Sequence, residues 1–291
     1  MIQSFLQYLQ YEKRYSTHTC TAYETDLIQF RDYLLHTYQT DNLNEATFSF
    51  IRSWIVSMMD EKTAASSINR KLASLRTFYK FLHKRGDIQV NPTLKIKSLK
   101  APKILPHFAE EKVLNNFLDS FDFEGFEGLR DKTVLELLYG TGMRLSELIN
   151  LKENDINYYD KTMKVLGKRN KERIIPLHSK LPSVIEKYLS LKKANFQASS
   201  EYLIVTDAGE KAYPVFIYRL VRRYMEMAGI AGKKSPHILR HTTATHLLDK
   251  GADLNAIKDL LGHANLAATQ IYTHNTLDKL KQVFEQAHPK A

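Results

Sequence analysis

The chain has 291 residues, 43% of them hydrophobic, and carries 42 Lys and Arg against 32 Asp and Glu, a formal net charge of +10. At roughly 100–200 residues per domain this length predicts two domains, and no run of about 18 apolar residues marks a membrane-spanning helix. A single cysteine, Cys20, excludes an internal disulfide framework and a cysteine-rich zinc site.

The first stretch, MIQSFLQYLQYEKRYS, is broken by polar residues and lacks a signal-peptide core. With one cysteine, a reducing cytoplasmic setting is expected. Residues 1–106 hold 15 basic and 9 acidic side chains and the remainder 27 and 23, so both halves are basic. Such a balance attracts polyanions, nucleic acid being the commonest; plain solubility is the alternative reading of the charge.

The first hundred residues read as helical. From 17 to 37, Ala22, Tyr23, Leu27, Phe30, Tyr33 and Leu34 recur at helical spacing, with Ser16 and Thr17 as caps. Residues 48–59 form a second amphipathic stretch. Residues 64–82 form a third, with Ile68, Leu72, Leu75, Phe78, Tyr79 and Leu82 on one side and Arg70, Lys71, Arg76 and Lys80 on the rest. Gly86 stops it, and Asn91-Pro92 is a second breaker. The apolar stripes are read as core; the basic positions fit a solvated face or a DNA face. Residues 99–106 (LKAPKILP) are read as a linker, because two prolines restrict it and no periodicity crosses it. This sets a helical domain at 1–98 and a second domain at 107–291.

The second domain opens with helical patterns at 110–121 and 129–139, then a glycine-rich turn at Gly140-Thr141-Gly142 and a helix at 145–151. The period then changes. Residues 162–166 and 173–177 are β-like runs around a polar turn, GKRNKE, which predicts a hairpin, and 203–205 is read as a third strand. From Pro214 the chain returns to helices. The predicted class is mainly α with a small antiparallel β-sheet in the C-terminal domain.

Five pieces stand out by residue type and order: TGMRLSEL around Arg144, the hairpin with Lys168, HILRH at 237–241, LLGHANL around His263 and IYTH around Tyr272. Each alone is weak, since a lone Tyr or His-x-x-Arg on a helix is usually structural. Their joint occurrence resembles the tyrosine recombinase (phage integrase) family, whose ordered set of Arg, Lys, His-x-x-Arg, His or Trp, and Tyr falls here on Arg144, Lys168, His237, Arg240, His263 and Tyr272. RYSTHTCTAYETDL, INRKLASLRTFYKFL and the Asn-Pro before the linker extend the likeness into the first half, and the terminal AHPKA resembles the Xer subgroup. One position departs. The hairpin turn of that subgroup reads GKGNKER, whereas here Arg169 stands at the second glycine, which leaves Lys168 and Lys171 both open as the lysine that reaches DNA.

The residue types suit the chemistry. Breaking a phosphodiester without water needs a nucleophile that becomes an ester, and the Tyr272 phenol supplies one. With a free pKa of about 10 it needs a base or nearby cations. Charge builds on the non-bridging oxygens, which paired guanidinium donors on Arg144 and Arg240 match. One such donor contributes about 2.7–4 kcal/mol in a transition state. Lys168 serves as general acid to the leaving 5′ oxygen. His237, three residues before Arg240, donates to the phosphate and assists the tyrosine's proton transfer; His263, after Gly262, bonds a phosphate oxygen. Glu147, three residues after Arg144, is a candidate to orient that arginine. His178, His241, His246 and His274 are read as packing residues. No metal-ligand spacing and no GxxxxGK loop occurs, so neither metal nor cofactor is expected; a phosphotyrosine link conserves the energy of the broken bond.

The resemblance further implies a two-domain C-shaped DNA clamp, double-stranded DNA recombination sites as substrate, and a homo- or hetero-tetramer with a related recombinase. It also implies chromosome dimer resolution beside a septal DNA translocase, with no membrane association. An integrase of a phage or transposon shares this chemistry. A non-catalytic DNA-binding protein and a type IB topoisomerase are the readings from other classes; the first has no need of a phenol nucleophile, and the segment after Tyr272 favours an assembling recombinase over the second. Within that segment, residues 276–287 (TLDKLKQVFEQA) carry a helical stripe of Leu277, Leu280, Val283, Phe284 and Ala287. It could pack on its own domain, but the resemblance favours docking into a neighbouring protomer.

Overall fold

The computed structural model describes residues 1–100, 108–167, 172–196 and 200–262, together with Phe284, Gln286, Ala287 and His288 near the end of the chain. It divides into two compact units, Met1–Ile104 and Leu105–Ala291. Among the described residues no helix is long and apolar enough to cross a membrane.

The first unit is helical. Helix α1 (Ile2–Gln7) runs into a π-helical turn at Tyr8–Glu12, followed by α2 (Thr17–Tyr38), α3 (Phe48–Asp60) and α4 (Ala65–Arg85). Local chemistry sets the ends. Ser16 Oγ accepts the Thr19 N–H at the start of α2 and Thr47 Oγ1 the Phe50 N–H at the start of α3. Gly86, at φ +80°, closes α4 in the left-handed region. The stripe of α4 is buried as its spacing requires: Ile68, Leu72, Leu75, Phe78, Tyr79 and Leu82 meet Leu27, Phe30, Ile51 and Trp54. Helix α1 puts Phe5, and the π-helical turn after it puts Leu9, into the same core.

One carboxylate lies inside this core. Asp26 of α2 is fully buried and accepts both terminal nitrogens of Arg70 at 2.5 and 2.7 Å and the Ser74 hydroxyl at 2.7 Å, tying α2 to α4. Leu99, placed at the head of the linker by the sequence, belongs with this unit. Its N–H donates to Asn69 Oδ1 at 2.8 Å, its carbonyl accepts from Asn69 Nδ2 at 2.9 Å, and its side chain packs on the core. Residues 101–107 lie outside the described residues.

The second unit holds α5 (Glu111–Ser120), α6 (Gly125–Thr141), α7 (Leu145–Asn150), strands β1 (Ile156–Asn157), β2 (Thr162–Leu166) and β3 (Glu172–Pro176), then α8 (Leu181–Asn195), α9 (Pro214–Met227), α10 (Pro236–Asp249) and α11 (Leu254–Leu261). Helix α6 is its axis. From Thr133 to Thr141 every residue is buried, so this stretch has no solvent face, and α7, α8, α9 and α10 pack around the helix. The strands form an antiparallel sheet in the order β1-β2-β3, with Met163 opposite Ile175 and Ile156.

Two expectations are corrected. Residues 203–205 are not a strand of this sheet; the third strand is β1. The Leu203 N–H bonds the Leu151 carbonyl, the Leu203 carbonyl accepts from the Tyr188 hydroxyl, and the Ile204 carbonyl accepts from the Ala212 N–H. These groups are satisfied within the unit, which leaves only single bridges, Lys152 with Tyr202 and Val205 with Lys211. Nor is 140–142 a turn. Gly140 and Thr141 are the last residues of α6, and only Gly142, at φ +61°, leaves the helix as its left-handed cap.

Gly140 is there for space. A Cβ on it would meet the His178 ring at 3.1 Å. His178 stacks on His288, with ring centroids 5.1 Å apart, and His288 Nε2 donates to the Gly140 carbonyl at 2.8 Å. Phe284 and Ala287 are buried in the same core. The described part of the C-terminal segment therefore packs on its own unit in the single chain; the rest of 276–287, which carries most of the stripe expected to dock on a neighbouring protomer, lies outside the described residues.

Burial, then the charge of His178, pull the His288 pKa down from 6.5 to about 3, against Glu136, which raises it. Between these values the undocked segment binds a proton that the docked one does not. Docking is thus fully favourable above about pH 6.5 and weakens as pH falls, by about 1.4 kcal/mol per unit. Hydrogen exchange at 284–288, corrected for intrinsic rates, should be faster at pH 5.5 than at pH 7.5, and His288→Phe should remove the difference.

Candidate active site

Three arginines meet at the C-terminal end of α11. A helix end leaves its last carbonyls without partners in the helix. Here Arg173 Nε donates to the Leu260 carbonyl at 2.9 Å, an Arg240 terminal nitrogen to that of Leu261 at 2.6 Å, and an Arg144 terminal nitrogen to that of Gly262 at 2.7 Å. Arg240 also donates to the Gly142 carbonyl, at the cap of α6, at 2.6 Å. Cations are favoured at helix C-termini because the carbonyl dipoles add there.

Each arginine arrives on a different element. Arg144 is the residue that precedes α7, just after the Gly142 reversal. Arg173 lies on β3, two residues after the 167–171 connection. Arg240 is on α10, started by Ser235, whose hydroxyl accepts the Ile238 N–H, and by Pro236 in the first turn. The two capping glycines permit the approach. A Cβ on Gly142 would lie 2.7 Å from Leu261 Cδ2, and one on Gly262, at φ +64°, would lie 3.2 Å from an Arg173 terminal nitrogen.

Glu147 holds the cluster together. Its side chain is 1% exposed. Oε1 accepts from Arg144 at 2.8 Å and from Arg173 at 2.6 Å; Oε2 accepts the Arg144 backbone N–H at 2.7 Å and the other Arg173 terminal nitrogen at 2.8 Å. The backbone bond is half of a capping box, which is why a Glu three residues into α7 suits this place. The sequence's pairing of Glu147 with Arg144 is therefore present, and a second arginine shares it.

Electrostatically, one carboxylate faces three guanidiniums. Burial pushes the Glu147 pKa up, but the bonds and charge of Arg173, with those of Arg144, outweigh it and hold the carboxyl below its ordinary value. Burial, then the charge of Arg144, lower the Arg240 pKa to about 10, with Glu147 opposing. Arg240 stays charged at neutral pH, in a partly desolvated site with more positive than negative charge. An anion with oxygens on two sides, such as a phosphodiester, relieves that imbalance.

Of the residues singled out in the sequence, Arg144 and Arg240 converge on adjacent carbonyls. His237 is exposed in the first turn of α10, one turn before Arg240. Lys168, His263 and Tyr272, with Arg169 and Lys171, lie outside the described residues. The strands flanking the lysine turn are paired through Leu166 and Glu172, and Gly262 immediately precedes His263. His246 and His178 are packing residues: His246 bonds the Tyr139 hydroxyl and the Ala109 carbonyl, both at 3.0 Å. Sequence reasoning missed Arg173. The signal was there, because in ERIIP it shares the parity of the buried Ile175 and so points inward, where a charge needs a partner. Among the described residues no group of three His, Cys, Asp or Glu is placed to hold a metal ion.

Comparison with known proteins decides the family. The phage integrase family profile matches residues 107–278, and that of the phage integrase N-terminal SAM-like domain matches residues 2–86. The chain belongs to the phage integrase family. Tyrosine recombinase XerC of Staphylococcus carnosus (strain TM300) is 37% identical over 295 residues, covering 99% of this chain and 97% of that protein. Tyrosine recombinase XerC of Chlorobaculum parvum is 34% identical over 317 residues, covering 100% and 94%. Among solved structures, the fold is similar to that of the XerH site-specific recombinase bound to palindromic difH substrate, with TM-score 0.74, 20% identity, and 97% and 83% of the two chains covered. It is also similar to the Tn1549 transposon integrase in complex with transposon right end DNA, with TM-score 0.71, 18% identity, and 97% and 98% covered. As a phage integrase family member of the Xer type, this chain is a site-specific tyrosine recombinase, an enzyme that cleaves and rejoins DNA strands.

Gly142→Ala tests the arginine cluster of this recombinase. The left-handed backbone costs an alanine about 1–2 kcal/mol, and the methyl displaces Leu261, whose carbonyl Arg240 holds. Stability should fall by that amount in a denaturant titration, and strand cleavage should fall by more than tenfold while half-site binding in a gel shift stays within threefold.

Proposed function

We propose that Tyr272 is the nucleophile, Arg144 and Arg240 the phosphate-binding pair, Lys168 the general acid, and His237 and His263 the phosphate donors that complete the set. The observation that carries this reading is the convergence of Arg144 and Arg240 on neighbouring carbonyls in a site with excess positive charge. Two rigidly held guanidiniums stabilise charge that develops on the non-bridging oxygens, and they need no reorganisation to do so.

The step is a transesterification. The Tyr272 phenol passes its proton to His237 as its oxygen attacks phosphorus and forms a 3′-phosphotyrosine. The bond to the 5′ oxygen breaks, and that oxygen takes a proton from the lysine. Attack by a free 5′ hydroxyl then runs the same path in reverse and releases the tyrosine. Other tyrosines are poorly suited to attack: burial raises the phenol pKa of Tyr139, Tyr188 and Tyr224, which makes the phenolate harder to form.

The relatives support a biological reading. Residues 1–98 bind double-stranded recombination-site DNA and 107–291 carry the chemistry. The enzyme works as a homo- or hetero-tetramer with a related recombinase, in the cytoplasm, and resolves chromosome dimers during partition and cell division beside a septal DNA translocase. The full-length likeness to proteins named XerC supports this role over integration of a mobile element.

Two measurements test the chemistry. Tyr272→Phe should abolish covalent adducts on a nicked suicide substrate while half-site binding stays within a few fold; adducts from the variant would place the nucleophile elsewhere. For the lysine, replacing the bridging 5′ oxygen by sulfur gives a leaving group that needs no proton. Lys168→Ala should lose cleavage of ordinary DNA and regain it on the sulfur substrate. Rescue of Lys171→Ala instead would move the acid to Lys171 and tie that shift to Arg169.

A further inference from the structure

We infer that Arg173 is a positioning residue for strand cleavage, acting through Glu147 on Arg144. The inference rests on the proposed role of Arg144 as a phosphate ligand.

Arg173 cannot be a ligand itself. Its side chain is 5% exposed, and its three nitrogens are all engaged: Nε on the Leu260 carbonyl and the two terminal nitrogens on the two oxygens of Glu147. It does two things that bear on cleavage. First, it sets the charge. Were Glu147 paired with Arg144 alone, the two would form a neutral pair, and the charge that Arg144 offers a phosphate would be cancelled. Arg173 takes both carboxylate oxygens, so the three groups together keep one positive charge, and Arg144 is the more exposed arginine, its side chain 30% accessible against 5%. Second, it sets the geometry. The same guanidinium that grips Glu147 holds Leu260, two residues before Gly262, whose carbonyl is the second anchor of Arg144. Arg144 is thereby fixed by Glu147, which Arg173 holds directly, and by the Gly262 carbonyl, two residues after the carbonyl that Arg173 holds, and Gly262 has no side chain where Arg173 passes.

A lysine cannot replace this. Its ammonium is a point charge and cannot span two carboxylate oxygens and a carbonyl in one plane. Arg173→Lys therefore keeps the charge and loses the fork.

The test is single-turnover adduct formation by the full chain on a nicked suicide half-site. Arg173→Lys should slow cleavage at saturating DNA by at least about tenfold, with half-site affinity within threefold of wild type. A merely structural role has no reason to depend on charge at phosphorus. The decisive readout is therefore a methylphosphonate at the scissile position, in which one non-bridging oxygen is a methyl group and the diester is uncharged. The ratio of wild-type to variant rate should shrink to below threefold there, while a bridging 5′ sulfur should leave the tenfold defect in place. Cleavage of ordinary DNA within threefold of wild type, an undiminished ratio on the methylphosphonate, or rescue by sulfur, which would route the effect through the lysine, would each overturn the inference. If Arg173→Lys does not fold, Glu147→Gln with Arg173→Gln leaves no unpaired buried charge and should show the same pattern, with wild-type cleavage by the double variant overturning it. Arg144→Ala is run in parallel. If it cleaves normally, the proposed site itself fails; if it is impaired and Arg173→Lys is not, only the positioning role fails.

Discussion

A single buried carboxylate organises the catalytic unit. Glu147 lies almost wholly out of water, where an unpaired charge is not sustainable, and removing one partner of a buried pair typically costs about 3–5 kcal/mol. Its four hydrogen bonds come from the backbone and side chain of Arg144 and from both terminal nitrogens of Arg173. Through those two arginines it is joined to the last carbonyls of α11 and to strand β3. The start of α7, the end of α11 and the base of the hairpin are therefore held in register by one side chain.

Around that carboxylate the backbone supplies the rest. Carbonyls 260–262 are each taken by a different arginine. Guanidiniums fit because several N–H groups diverge from one plane, so one side chain can satisfy two acceptors on different elements, as Arg240 does between Leu261 and Gly142. The surplus of positive charge follows from one carboxylate facing three guanidiniums, and α6, buried along its C-terminal half, packs against α10, which carries Arg240, and α7, which Arg144 precedes. An arrangement of this kind is set before substrate arrives, and electrostatic stabilisation is largest when the donors need not move.

Much of the fold was legible locally. The stripes of α2 and α4 are long and periodic, and the spacing selected Leu27, Phe30 and Leu34 and the Ile68–Leu82 row, all buried, but not the buried Asp26, Ser74 and Phe81. The two strands of the hairpin were equally plain, since alternation and a polar turn are local signals. What was misread has local causes too. Helix α1 was read only as part of a helical first half, although Ile2, Phe5, Leu6 and then Leu9 recur at helical spacing. Gly140 and Gly142 look alike in the sequence, yet the first is a helical residue that makes room for His178 and His288, and only the second turns the chain. Residues 203–205 have the composition of a strand, but their backbone groups are claimed by Leu151, Tyr188 and Ala212.

The sequence by itself determined which residue types are present in which order, and so the reaction class, because phosphoryl chemistry depends on the identity and sequence order of Arg144, Lys168, His237, Arg240, His263 and Tyr272. It also held the Arg144–Glu147 pair, which is local to one turn. Only the tertiary structure decided the partners of that pair. Glu147 meets Arg173 from 26 residues away, and Arg144 meets Gly262 from 118. No periodicity links positions so far apart. Which guanidinium a buried carboxylate selects is settled by the packing that brings a strand, two helix ends and two glycines to the same point.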